Sequence, residues 1–169
     1  MTDAPATGPA ARVLRDFAAD DAAFVATLAG DPRVTRYVGN GEPWSPGYTG
    51  RRVRDALGGL PGGDPGAVRW FIGLEDGHRV GLFVSSRRGP AVEIGYWVHP
   101  GSWGRGIAGW MLGAALEPIR SVFGGRALLG RVLPGNEASI RVLESHGFRP
   151  EPAEGAELRF VRPAAASGP

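Results

Sequence analysis

Residues 91 to 109, AVEIGYWVHPGSWGRGIAG, run from an alternating strand through a glycine-rich turn directly into an apolar helix, and this passage limits the folds open to the chain. Alternation over Ala91 to Val98 puts Glu93, Gly95 and Trp97 on one strand face. The glycines of GRGIAG, residues 104 to 109, then let the backbone pass close to a ligand. Successive N–H groups at a helix start meet phosphate oxygens with a favourable dipole. The literal match is to G-x-G-x-x-G, the dinucleotide fingerprint. A nicotinamide-binding unit, however, needs an acidic residue on the next strand to hold a ribose, and ALLGRVLPG has none. A P-loop needs a lysine after the glycines, and all nineteen basic residues of this chain are arginine. A phosphorylated ligand held by main-chain groups remains, with a plain strand-to-helix turn as the alternative.

The elements around this passage give the fold class. Arg12 to Phe17 reads as a first strand, and Asp20 and Asp21 offer an N-cap to a helix over Ala22 to Leu28 that Gly30, Asp31 and Pro32 stop. Residues 39 to 50, GNGEPWSPGYTG, suit a loop overlying a substrate site, or a connection with Trp44 plugging the core. A second helix is predicted over Tyr48 to Leu60. Strands at Val68 to Leu74, Arg79 to Ser86 and Ala91 to Val98 form an antiparallel meander. There follow a helix from Ile107 to Glu117 ended by Pro118, a strand from Ala127 to Leu133, a helix from Glu137 to His146, and strands near Phe148 and at Glu157 to Val161. A meander continued by strand, helix, strand and helix makes an α+β sheet with at least one parallel pair.

A length of 169 residues with 43% hydrophobic content supports one core, predicted over residues 11 to 163 with disordered ends at 1 to 10 and 164 to 169. MTDAPATGPA has no basic start and no apolar run, and no stretch has the length of a membrane span, so a cytoplasmic protein without membrane partners is expected. The absence of cysteine excludes disulfides and an acyl-cysteine intermediate. Net charge is only +2 with scattered arginines, so nucleic acid is not an expected partner. His78, His99 and His146 lie too far apart for metal-ligand spacing, and no metal is expected.

EIGYWVHPGSWGRGIA, followed some thirty residues later by NEASIRVLESHGF, resembles the GCN5-related N-acetyltransferases (GNAT), and within them the branch of the ribosomal-protein N-terminal alanine acetyltransferases. The family loop pattern, Gln/Arg-x-x-Gly-x-Gly/Ala, falls on Trp103 to Ala108, with Trp in the first position as in this branch. The likeness is firm over the C-terminal half and looser over residues 12 to 60. It implies a mixed, mostly antiparallel sheet flanked by about four helices, with a splayed parallel strand pair that binds acetyl-coenzyme A. It also implies direct acetyl transfer to an amine, a small molecule or a protein N-terminus. By the resemblance, backbone N–H groups from Arg105 to Gly109, within the loop Trp103, Gly104, Arg105, Gly106, Ile107, Ala108 and Gly109, hold the pyrophosphate. The strand end at Trp97, Val98 and His99 lies along the pantetheine arm, an extended chain of amides that a strand edge can pair.

Asn136 would add a side-chain amide to that arm, or simply cap the helix that begins at Glu137. An amine arriving as ammonium must lose a proton before it attacks a thioester, and the resemblance makes Glu93 the candidate base; the other reading is a structural glutamate. Many relatives carry a tyrosine on the last helix to protonate the leaving thiolate, but Leu143 stands there. The branch has a serine where Ser139 stands, and the resemblance implies that its hydroxyl donates to sulfur directly or through water; the other reading is that it caps or packs the helix. The missing tyrosine keeps a second function open, a non-catalytic acyl-coenzyme A binding or sensing module. Relatives usually carry a small residue and then Glu after Gly-Ile-Ala, where this chain has Gly109 and Trp110, and Trp110 is expected to pack on the sheet. A homodimer is the commonest assembly for a domain of this kind.

Overall fold

The computed structural model describes residues 9–153 and 155–165; of the expected loose ends, residues 1–8 and 166–169 lie outside the described part. The elements are β1 (Arg12–Asp16), α1 (Ala22–Gly30), α2 (Pro32–Thr35), α3 (Pro46–Gly58), β2 (Val68–Glu75), β3 (His78–Arg88), β4 (Ala91–Val98), α4 (Ile107–Phe123), β5 (Leu128–Val132), α5 (Glu137–Ser145), β6 (Arg149–Glu151) and β7 (Leu158–Arg162). They form a seven-stranded sheet in the order β1-β2-β3-β4-β5-β7-β6, whose β4–β5 pair is parallel. The α+β class, the meander and the parallel pair are as the sequence predicts.

Alternation sorts the sheet residues onto two cores. Phe71, Phe83, Val92 and Ile94 face α4 with Ile107, Met111, Leu112 and Ala115, while Trp70, Ile72 and Leu82 face α1 and α3 with Val25, Leu28 and Val53. Helix α4 sits unusually low. A Cβ on Gly73 would fall 2.8 Å from Met111 Sδ, and one on Gly81 2.6 Å from Met111 Cε, so only glycine lets this helix approach.

The first helix stops at Gly30 as the sequence predicts, and the Asp31 carboxylate then accepts from Arg33 N–H to cap a short further helix, α2. Two helix boundaries differ from the sequence reading, each for a local reason. Helix α3 starts two residues earlier than predicted because Ser45 caps it and Pro46 occupies its first turn, where proline loses no hydrogen bond. Pro118 does not end α4, which runs on to Phe123; buried Ile119 and Phe123 compensate for the one missing N–H.

The proposed caps at Asp20 and Asp21 are also not formed at α1. Asp21 is instead fully buried, accepting from Arg15 at 2.7 and 2.8 Å, from Arg79 Nε at 2.7 Å and from Ala18 N–H at 2.9 Å. Burial pushes its carboxyl up, but the hydrogen bonds from Arg15, Arg79 and Ala18 outweigh it and hold the group at about 2. This network ties the start of α1 to β1 and β3.

Candidate active site

Parallel pairing between β4 and β5 covers only Val92↔Leu128, Glu93↔Leu129 and Ile94↔Gly130, after which the strands part. A cleft of about 750 Å³ passes through this opening and is lined from both faces of the sheet. On the α4 and α5 side it is bounded by Trp103, Gly104, Gly106 to Gly109, Asn136, Ser139 and Tyr96. On the α2 and α3 side it is bounded by Arg36, Trp44, Arg52, Trp70 and Glu93. A reagent bound on one face can thus meet a partner bound on the other.

The free edge of β4 follows from its hydrogen bonds. Val92 N–H donates to Ala127 O and His99 N–H donates to Val80 O, so even-numbered residues turn main-chain groups toward the opening and odd-numbered ones toward β3. Tyr96 and Val98 therefore line the splayed edge with backbone, while Trp97 pairs back to Leu82 and puts its ring on the α3 side. Val98 O accepts from Trp103 Nε1 at 2.8 Å, which fixes Trp103 across the strand end.

The glycine loop is a preformed cradle. Gly104 and Gly106 have φ of 73° and 71°, and no atom lies within 4 Å of where either Cβ would stand. Helix α4 has no side-chain N-cap, so the N–H groups of Ile107, Ala108 and Gly109 begin it without such a partner. Arg12 donates to Arg105 O at 2.9 Å, and Glu75, almost fully buried, is ion-paired with both Arg12 and Arg105. The Arg105 side chain thus anchors the loop from behind and does not line the cleft. These open N–H groups and the empty space over two glycines fit a diphosphate such as that of coenzyme A.

On the other face Glu93, Gly95 and Trp97 alternate as the sequence predicts. Glu93 lies 3.6 Å from Arg88 and 3.7 Å from Arg131, and its side chain is 29% exposed. Its surroundings are two guanidiniums and solvent. Trp44 stacks edge-on against Trp97 at 4.7 Å and Tyr48 at 4.8 Å, so residues 39 to 50 both cover the cleft and pack onto the sheet.

A model of the acetyltransferase (GNAT) domain matches residues 12–149. The chain belongs to the GNAT acetyltransferase family. No curated protein matches it in sequence. Among solved structures, this GNAT domain is similar to yncA of Salmonella typhimurium, solved with its cofactor acetyl-CoA, with a TM-score of 0.74 and 18% identity over 94% of this chain and 96% of the other. RimL, the ribosomal L7/L12 alpha-N-protein acetyltransferase in complex with coenzyme A, gives 0.75 and 17% over 90% and 94%. Spermidine N-acetyltransferase from Vibrio cholerae, in complex with CoA and spermine, gives 0.72 and 15% over 89% and 92%.

Most residues singled out from the GNAT sequence meet at the cleft, with three qualifications. His99 does not line it; its Nδ1 accepts from Gly101 N–H at 3.1 Å and its ring stacks on Phe24. Asn136 realises its capping role, with Oδ1 accepting from Ser139 N–H at 3.3 Å, which leaves both donors of its amide nitrogen and one lone pair of Oδ1 for a ligand. Leu143 is buried against Gly130 and offers no donor.

Sequence reasoning passed over Tyr96. Its hydroxyl lies 2.8 Å from Ser139 Oγ and 3.3 Å from Ser139 O. Burial pushes the phenol up to about 12, with the Ser139 hydrogen bond opposing. Its place on the strand carries no local signal of a role; only the packing of α5 on β4 gives the hydroxyl a partner. Among the described residues no cluster of metal-ligating side chains occurs, and no helix is long and apolar enough to cross a membrane.

Proposed function

We propose that this chain transfers the acetyl group of acetyl-CoA to a primary amine by direct attack across the opening between β4 and β5. The observation that carries this reading is the through-sheet cleft, which joins the phosphate cradle on one face to Glu93 on the other. Acetyl-CoA supplies a thioester carbonyl and a thiolate leaving group. The N–H groups of Ile107 to Gly109 bind its diphosphate, and the Tyr96 and Val98 backbone edge lines up the amides of its pantetheine arm with the Asn136 amide nitrogen beside it.

Glu93 accepts the ammonium proton, through water in the half-open site. Ser139 stands on the thiolate side. A phenol held at about 12 does not readily give its proton to a thiolate, whose thiol titrates near ~8.5. Tyr96 therefore holds the Ser139 hydroxyl in place, and in the arrangement where the phenol donates to Oγ the serine proton is free to hydrogen-bond the departing sulfur, with solvent as the final proton source. This pair supports catalysis over a purely acyl-CoA-sensing role despite Leu143. The RimL-like branch resemblance keeps protein N-termini among the acceptors.

The test is acetyl-CoA-dependent thiol release across an amine panel, beside calorimetry with coenzyme A and NAD. Tighter binding of NAD, or coenzyme A binding without release for any amine, refutes the reading.

A further inference from the structure

Two buried N–H donors in the molecule have no partner among the described residues, Arg52 Nε and Trp70 Nε1, and both residues line the α3 side of the cleft. A buried polar group without a hydrogen bond is costly and rare, so two in one place mark an unfilled binding position. Trp70 is 3% exposed, held by Phe17 edge-on at 5.3 Å. Arg52 has no hydrogen bond and no ion pair among the described residues.

The charge around them is mainly positive. Five arginines and two glutamates line the cleft. Arg33 is already paired with Asp31 at 2.6 Å, Arg36 lies over Tyr37 at 5.1 Å, and Arg88 and Arg131 flank Glu93. Arg52 is left as the unengaged guanidinium on this wall of the cleft, which Trp70 also lines. A planar guanidinium fork matches the two oxygens of a carboxylate, and an indole N–H can add a donor to one of them. A polyamine would meet mostly positive charge here.

The position relative to the chemistry follows from register. Trp70 pairs with Val84 and Val84 with Gly95, one row across three strands on the face that carries Glu93. Two strand spacings separate Trp70 from Gly95, about 10 Å. Val84 stands between them on that face, and Gly95 beyond it raises no side chain. Trp44 and Trp97 wall the same space with apolar rings.

We infer that the acceptor is a carboxylate-bearing amine, an amino acid with an apolar or aromatic side chain, whose carboxylate is held by Arg52 and Trp70 Nε1 while its amine faces Glu93. This rests on the transferase reading above and adds the acceptor's class to it.

The test compares thiol release with phenylalanine and leucine against phenylalaninamide, leucinamide, spermidine, a phosphate-bearing amine (phosphoethanolamine) and a peptide with an N-terminal alanine. The amino acids are expected to exceed their amides in kcat/KM by about 10- to 100-fold, the range for one charged hydrogen-bonded grip. Arg52→Gln should raise KM for the amino acids by that factor, erase their advantage and leave coenzyme A affinity unchanged; Arg52→Lys should restore part of it. Equal turnover of acid and amide, or preference for spermidine, phosphoethanolamine or the peptide, overturns the inference and leaves the transferase reading standing. Binding of N-acetylphenylalanine, measured by calorimetry, needs no turnover. Arg52-dependent binding without transfer to any amine would keep the carboxylate site and refute the transferase; no binding would overturn the site.

Discussion

The Tyr96 hydroxyl on β4 and Ser139 Oγ on α5 stand 2.8 Å apart, though 43 residues separate them in the chain. The contact lies on the α5 side of the cleft, where Leu143 offers no polar atom.

From this pair, Tyr96→Phe should retain coenzyme A affinity and lower kcat by about 10- to 100-fold, the loss of one oriented donor. Ser139→Ala should do the same, and the double variant should be little worse than either single one, since both act through one hydroxyl. Additive losses measured by single-turnover thiol release would show that the two residues act separately.

Glu93→Gln keeps side-chain size but cannot accept a proton. It should leave coenzyme A binding intact and lower kcat by about 10²–10⁴-fold, with the acidic limb of the pH–rate profile lost. Wild-type turnover at every pH would reduce Glu93 to an ion-pair partner of Arg88 and Arg131.

A substitution at Gly106 has two effects, because its φ of 71° strains any side chain before a ligand is involved. Gly77, with φ of 80° in the β2–β3 turn and nothing within 4 Å, supplies the matched control. Gly106→Ala and Gly77→Ala should each cost about 1 kcal/mol in thermal unfolding. Only the first should also weaken coenzyme A in calorimetry; equal affinities would make the loop a simple turn.

Asp21 governs acid stability. Its folded value of about 2 lies below the ordinary ~3.9 of an unfolded aspartate, so its contribution is complete above pH ~4 and is lost as pH falls toward 2. The amount is about 2 kcal/mol. Chemical denaturation of Asp21→Asn should show that part of the acid-limb slope missing, together with a loss at neutral pH because Arg15 and Arg79 lose their buried partner; an unchanged slope would place the acid sensitivity elsewhere.

The sequence by itself determined what depends on local periodicity and on glycine. Alternation set the faces of Glu93, Gly95 and Trp97, and Gly104 and Gly106 announced a backbone cradle at a helix start, because such features are written within a few adjacent residues. Helix ends were less legible: Pro118 stops a helix by propensity, yet the burial of Ile119 and Phe123 carries α4 past it. Only the tertiary structure decided the rest. The parting of β4 from β5 after Ile94 opens the cleft, α5 brings Ser139 to Tyr96, and α3 leaves Arg52 on the cleft wall without a partner among the described residues. Those contacts join distant segments, and an aromatic or arginine in such a pattern reads as core or surface until its neighbour across the fold is known.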